Sequence, residues 1–287
     1  MSTIFYSVGM AIHTSGLSRD LEIIELLGSK EAWENGGFGV QQIANILRRD
    51  KGQISRVCQT LRKTGLLNRE VSTKRYTLGH QLYALAMRTQ EARLTFLARP
   101  KLLELMASAE ESSHLTVLRG GAIMKLHTEF ARHERKESEE PGSYTPALRT
   151  ASGRAILATF STEELSAWWE QHGDLPHHQR NSTESQIPLG GSEEQSEPTK
   201  PTIRSLEQLE KVIRTIRRRG FAISEGEITP GIVDAAAPLR NSSSAVIGAI
   251  AVGAHRSRIK DRYQGLGAMV RESAELLSRE LGWTPSA

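Results

Sequence analysis

Residues 40–67 read VQQIANILRRDKGQISRVCQTLRKTGLL, and two helical stripes within them decide the fold. Val40, Ile43 and Leu47 share one face of the first half. After a polar turn, Arg48 to Lys51, the apolar residues Ile54, Val57, Cys58 and Leu61 fall at i, i+3, i+4 and i+7, while Gln53, Ser55, Arg56, Gln59 and Arg62 point elsewhere. Gly65 ends this helix. Upstream, Arg19 to Leu27 predicts another helix, with Leu21, Ile24 and Leu27 at helical spacing, Ser18 as its N-cap and Gly28 as its stop. A glycine-rich break at 35–39 separates the two. Downstream, LLNREVSTKRYTLG (66–79) predicts a two-stranded ribbon with Ser72–Thr73–Lys74 at its tip. Three short helices and a ribbon describe a winged helix-turn-helix over residues 18–79, preceded by an N-terminal arm at 1–17.

The charge of the chain is concentrated in the same place. The net +4 divides into 13 Lys/Arg against 8 Asp/Glu over residues 1–97 and 24 against 25 over residues 98–287. Residues 48–75 alone hold nine basic side chains and only Asp50 and Glu70 as acids. Such a run is the footprint of a surface facing a polyanion, although a solvated helix face gives the same composition. The helix pattern favours the first reading. A helix that buries Ile54, Val57, Cys58 and Leu61 and turns short polar and basic groups outward fits the major groove of B-DNA. Lys51, Gln53, Ser55, Arg56, Gln59 and Arg62 are therefore candidates for base and phosphate contacts, and Lys74 and Arg75 for wing contacts. Cys58, on an apolar stripe, reads as a core residue rather than a redox sensor. Arg48 and Arg49 can equally cap the preceding helix.

Composition removes other classes. With 38% hydrophobic and 24% charged residues the chain is too apolar for wholesale disorder. The single cysteine rules out an internal disulfide and a multi-cysteine zinc site, and fits a reducing cytosol. No apolar run approaches the roughly 20 residues of a membrane span, and Met1 to Ile12 lacks the basic start and cleavage site of a signal peptide. The expectation is a cytoplasmic protein without membrane contact.

Residues 80–97 predict a linker helix whose stripe (Leu82, Leu85, Ala86, Thr89, Ala92) has no obvious cover except a second copy of itself, with Pro100 starting another helix. From there to residue 287 the pattern is α+β. Leu115–Leu118 and Ile123–Leu126 flank Gly120–Gly121 as a hairpin. A Ser-Gly turn at 152–153 leads into a short helix, and Thr162 caps the next. Residues 171–202, poor in aliphatics, read as a mobile insertion. A helix with Leu206, Leu209, Val212, Ile213 and Ile216 buried follows, then strands at Phe221–Ser224 and Ala245–Val252 and a closing helix from Asp261 to Leu281. The fold class is thus α+β throughout, with a mostly antiparallel sheet in the second domain at 98–287.

The stretch 40–67, the wing ending in RYTLG, TASGRAILA (150–158), RRRGFAISEGEITPGIVDAAAPLR (217–240) and AVIGAIAVGAHRSRI (245–259) occur in an order and spacing that resembles the IclR family of bacterial transcriptional regulators. The resemblance spans about residues 18 to 283. It implies a homodimer or tetramer that binds near-palindromic double-stranded operator DNA, with a C-terminal GAF-like domain that holds a small organic effector and no cofactor or metal. By the same resemblance Lys51, Gln53, Ser55 and Arg56 begin the recognition helix. Ala151 and Ser152 are placed to offer backbone N–H groups to the effector. Asp234 stands where many members carry cysteine, and Ser224, Ala251 and Gly253 match other pocket positions.

The departures bear on the ligand. Members that bind small oxoacids tend to be polar or acidic where this chain has Ser224, Ala251 and Gly253. A carboxylate at Asp234 disfavours a second carboxylate beside it unless one is protonated or paired with arginine. The effector is therefore expected to be neutral or to carry hydrogen-bond donors, such as an aromatic amide, amine or hydroxylated ring. Asp234 as a surface turn cap is the alternative. Other functions find less support. Ser152–Gly153 lacks the frame of a nucleophile elbow, so a hydrolase has no motif, and no phosphate-binding glycine motif occurs. His172, His177 and His178 lack the spacing of a metal site. A DNA-binding assembly protein without a ligand stays open.

Overall fold

The computed structural model describes residues 16–133, 142–173, 203–259 and 262–285. They form two compact units divided between Leu94 and Thr95.

The first unit contains α1 (Gly16–Leu27), α2 (Lys30–Glu34), α3 (Val40–Ile46), α4 (Lys51–Lys63), β1 (Leu67–Arg69), β2 (Tyr76–Leu78) and α5 (His80–Ala86). Its core is Ile23, Leu26, Leu27, Phe38, Ile43, Ala44, Ile54, Cys58, Leu67 and Tyr76, with Val40, Leu47, Val57 and Leu61 packed around it. The stripes predicted on α3 and α4 are the ones that face inward. Two features differ from expectation. On α1 the buried set is Ile23, Leu26 and Leu27 while Leu21 is 46% exposed, and Ser18 lies inside the helix rather than capping it. α2 was not anticipated, because five residues are too few to show a period; Ser29 caps it by accepting from the Ala32 N–H at 3.2 Å. Phe38 bridges Tyr76 and so extends the ribbon.

The single linker helix expected at 80–97 is two helices, α5 and α6 (Gln90–Ala109). Thr89, read as a stripe residue, instead accepts from the Ala92 N–H at 3.2 Å at the start of α6. Pro100 does not begin a helix either; it lies within α6. It is exposed there, while Ala98 and Leu102 on the other side are buried. Its missing hydrogen bond therefore falls on the face where water satisfies the freed carbonyl.

The second unit is built on a six-stranded antiparallel sheet with order β5-β4-β3-β8-β7-β6. The strands are β3 (Ser112–Arg119), β4 (Ala122–Glu129), β5 (Tyr144–Pro146), β6 (Ala222–Glu225), β7 (Ile232–Arg240) and β8 (Val246–His255). The hairpin around Gly120–Gly121 forms as expected. β7, in the body of the sheet, was missed: its alanine run and Pro238 carry little strand propensity. Pro238 is tolerated because β6 begins at Ala222 opposite Ala236, so the β6 ladder does not reach Pro238, two residues further along β7.

One face of β7 and β8, Val233, Ala235, Ala237 and Leu239 with Ile250, Val252 and Ala254, is buried and wholly aliphatic. α11 (Tyr263–Glu280) packs against both strands. The other face carries α7 (Ala151–Leu157), α8 (Thr162–His172) and α9 (Leu206–Arg219), whose apolar residues share a core with Ala222, Ala236 and Ala251. α10 (Arg256–Ile259) is a single turn after β8. α8 is capped by Ser161, one residue before the expected Thr162, in a capping box with Glu164. Of the insertion expected at 171–202, residues 171–173 instead close α8 and residues 174–202 lie outside the described residues; of the arm expected at 1–17, Gly16 and Leu17 instead open α1 and residues 1–15 lie outside them.

Candidate DNA-reading surface and effector site

α4 is N-capped by Asp50, whose carboxylate accepts from the Gln53 N–H at 2.8 Å. With Ile54 and Cys58 fully buried, the 100° step of a helix puts Gly52, Arg56, Gln59 and Lys63 at the centre of the outward face. Lys51, Gln53, Arg56, Gln59, Arg62 and Lys63 are exposed and Ser55 is half-buried. Lys63 was not singled out from sequence, although the same helical step identifies it. Among the described residues no ion pair engages Lys51, Arg56, Arg62, Lys63 or Lys74. Burial pushes the Cys58 thiol up to about 11, which keeps it an inert core group.

Arg62 and Arg75 are placed differently from the other candidates. Both line a cleft of about 660 Å³, with Asn35, Arg69, Thr77 and His80, between the end of α4 and the ribbon. Arg75 is half-buried and donates to the Asn35 carbonyl, so it braces the ribbon against the turn after α2 rather than reaching outward from the tip. Lys74 is exposed in the left-handed region at φ 60°. The tip is shaped by Glu70, which accepts from the Val71 N–H at 2.9 Å and from the Ser72 N–H and hydroxyl at 3.3 and 3.1 Å. Those bonds, from Ser72 first, hold its carboxyl below the usual range. Arg49 closes the end of α3 through its backbone, its N–H donating to the Ala44 carbonyl at 2.9 Å, while its guanidinium, 3% exposed, pairs with Asp20 of α1 at 2.8 Å.

In the second unit the register gathers the polar candidates into rows. Ser224, Asp234, Gly253 and Ser112 are direct partners across β6, β7, β8 and β3. Two residues along, Ala222, Ala236, Ala251, His114 and Thr128 form the neighbouring row, which reaches β4. Opposed residues project to one face, so all of these lie on the side that carries α7. Asp234 is thus a half-buried strand residue and not a turn cap. His114, 8% exposed, bonds through Nδ1 to Thr128 Oγ1 at 3.0 Å. Ser112 and His114 lie before the strand expected at Leu115–Leu118, and Thr128 beyond the one expected at Ile123–Leu126.

Ser152–Gly153 is not a turn. Thr150 caps α7, accepting from the Gly153 N–H at 3.0 Å, and both residues lie in the helix. A Cβ on Gly153 would stand 2.2 Å from the Ala147 carbonyl oxygen, so the close approach of the preceding turn requires glycine. The Ala151 N–H, expected to face a ligand, donates to Ser224 Oγ at 3.1 Å and joins the helix start to the first polar row. Ser152 is 4% exposed. α7 is further held by a buried ion pair, Arg154 to Glu227 at 2.5 Å, with Arg154 Nε donating to the Leu148 carbonyl at 2.8 Å. Arg149 donates to the Glu227 carbonyl.

His172 stacks obliquely on Trp168, ring centroids 5.4 Å apart, and burial lowers its pKa. His177 and His178 lie outside the described residues. Among the described residues no group of three His, Cys, Asp or Glu is placed to hold a metal ion, and no helix is long and apolar enough to cross a membrane.

A winged helix with a basic outward face and, in the same chain, an α+β domain with a polar row under a short helix are the parts of a transcriptional regulator. The chain belongs to the IclR family: the family model for the bacterial transcriptional regulator IclR C-terminal domain matches residues 87–187 and 175–279. Curated relatives include the glycerol operon regulatory protein of Streptomyces coelicolor, 25% identical over 279 residues and matched over 95% of this chain and 98% of that one. The transcriptional regulator KdgR of Escherichia coli is 24% identical over 263 residues, covering 91% and 90%. Among solved structures, the Thermotoga maritima IclR shares the fold with a TM-score of 0.69 at 20% identity, covering 94% of this chain and all of that one. An IclR homolog from Microbacterium hydrocarbonoxydans, solved with 4-hydroxybenzoate, gives 0.72 at 19% identity, covering 93% and 99%.

Proposed function

We propose that this regulator reads its operator with α4 in the major groove and Lys74 on the adjacent backbone, and that a small organic effector bound under α7 changes its affinity for DNA. The observation that carries the DNA half is the outward face of α4, where Arg56, Gln59 and Lys63 stand opposite the buried Ile54 and Cys58. A dimer presents two such helices about 34 Å apart, one turn of the duplex. The exposed apolar side chains Tyr83 and Leu85 of α5, which buries no residue of its own, suit the pairing of two copies. Repression relieved by the effector is the expected sense of control.

The effector half rests on the polar rows. Asp234 and the serines beside it favour a neutral or donor-bearing compound over a simple oxoacid. The homolog solved with 4-hydroxybenzoate supports a hydroxylated ring as the class, since that compound carries a hydroxyl as well as a carboxylate. Coupling requires that the compound bind the DNA-competent and incompetent arrangements with different affinity.

A gel shift on the DNA upstream of the protein's own gene tests both halves. Lys74→Ala should weaken binding to all sequences alike and lower the salt slope by about one. Aromatic catabolites should shift the operator midpoint. No retardation of any fragment at low ionic strength would end the DNA reading, and a midpoint indifferent to every catabolite would favour the ligand-free assembly protein.

A further inference from the structure

The cleft of about 660 Å³ between the end of α4, the ribbon and the turn after α2 gathers charge that the fold leaves uncancelled. Arg62, Arg69 and Arg75 all line it, and Glu70 alone of its lining residues is acidic. Elsewhere, arginines taken out of water meet carboxylates, Arg49 meeting Asp20 and Arg154 meeting Glu227. In the cleft no such pairing occurs: among the described residues no ion pair engages Arg62, Arg69 or Arg75. Carbonyl oxygens hold two of them instead. Arg75 donates to Asn35, and Arg69 donates to Lys74 at 3.3 Å while lying 5.2 Å from the centre of the Tyr76 ring. A carbonyl fixes a guanidinium without cancelling its charge, and leaves most of its N–H groups open to a further acceptor. The Arg62 side chain makes no hydrogen bond among the described residues. The Glu70 carboxylate is turned to the tip, on Val71 and Ser72. Three guanidiniums against one carboxylate leave a surplus of two positive charges in a concave site.

This cleft opens on the flank of α4 and not on its outward centre. Arg62 falls about 40° around the helix from the buried Cys58, whereas Arg56 falls about 160° from it. A helix about 10–12 Å across fills a major groove about 12 Å wide, so its outward centre meets base edges and its flanks meet the phosphates of the groove walls. We propose that the cleft of Arg62, Arg69 and Arg75 is a phosphate-binding site that takes two adjacent phosphates, and that the DNA strand bordering α4 is the source its flank position favours. The inference rests on the reading of α4 as the DNA helix and adds to it a backbone site without base preference. A guanidinium matches phosphate oxygens two bonds at a time. Each backbone phosphate carries one negative charge, so two of them balance the surplus. A free phosphate ester offers the same chemistry, and the test separates the two sources.

Fluorescence anisotropy on the full-length protein, with the duplex upstream of its own gene at several salt concentrations, reads the DNA arm. Arg62→Gln should lower the slope of log K against log salt by about one, and Arg62→Gln/Arg69→Gln by about two. The preference for that duplex over a scrambled one should not change. Arg62→Gln removes no side-chain bond of the fold, so its melt should match wild type, and it carries the test alone should the double variant melt early. Arg218→Gln, which alters an exposed arginine of the second unit, is the control for net charge and should leave the slope unaltered. Calorimetry with sodium pyrophosphate reads the free source. Binding by wild type that Arg62→Gln loses, with unaltered DNA slopes, upholds the phosphate site and gives it to a small phosphate ester. Unaltered slopes in both variants, with pyrophosphate binding absent or indifferent to Arg62→Gln, overturn the proposal. An equal fall in Arg218→Gln overturns it as well, and so does a lost sequence preference in Arg62→Gln, which would make Arg62 a base reader. Arg56→Ala reports separately on the DNA reading of α4. Should wild type bind no duplex at all, that reading ends and pyrophosphate alone decides the cleft.

Discussion

The outer face of α4 and the inner face of β7–β8 are the two places where this protein keeps its chemistry, and they are organised in opposite ways. On α4 the polar groups face water and the apolar ones face the core, so each side chain does one thing. On the sheet both faces are covered, and the row Ser224–Asp234–Gly253–Ser112 is polar although helices lie over that side. Exposed charge is inexpensive and meets a partner as large as a duplex. Buried polarity requires partners for every group, and suits a ligand small enough to be enclosed. The contrast teaches that the DNA surface should tolerate substitution without loss of the fold, whereas the inner site should couple binding to stability.

The largest effect is expected on the inner side. Arg154→Ala takes the Arg154 guanidinium from the buried Glu227 carboxylate, and breaking a buried ion pair typically costs about 3–5 kcal/mol. Thermal melts should show a loss of that order, and the double variant Arg154→Met/Glu227→Leu should recover much of it. A melt unchanged in Arg154→Ala would mean that α7 is not clamped by this pair. Next, Arg56→Ala on the outer side should weaken operator binding by about 1–3 kcal/mol and relax base preference, with an unaltered melt. If the melt falls together with the affinity, the contrast between the two regions is wrong. Smaller again, Asp50→Ala should destabilise the first unit by about 1 kcal/mol through loss of the N-cap bond to Gln53, measurable by urea titration.

The smallest effect is a pH dependence. Burial depresses the pKa of His172 in the folded state, so the unfolded chain binds the proton first as pH falls through 6.5. Stability on this account is complete above that value, declines below it, and levels off under the folded-state pKa. The melting temperature of wild type should drop slightly more between pH 7 and pH 5 than that of His172→Gln. An equal drop would place the pH response on other groups.

The same contrast explains what could be read in advance. α4, α9 and α11 announce themselves because one side of each is wet, and that asymmetry writes a 3.6-residue period into the chain. β7 carries no alternation, since Ala235, Ala236 and Ala237 are buried on both faces, and so a strand in the body of the sheet went unseen. Asp234, Ser224, Ala251 and Gly253 were chosen through resemblance, and the strand register places them on one face. His114 had no such guide. Arg75 was read correctly as basic and incorrectly as outward, because its bond to Asn35 joins positions 40 residues apart.

Amphipathic period, cap residues and the clustering of basic side chains settle the winged helix and its basic side, because those signals are local and survive in a one-dimensional string. Which polar residues of β3, β6, β7 and β8 share a row, and which arginines brace instead of reach, is settled only when distant strands come into register, because pairing across a sheet obeys geometry that neighbours in sequence do not carry.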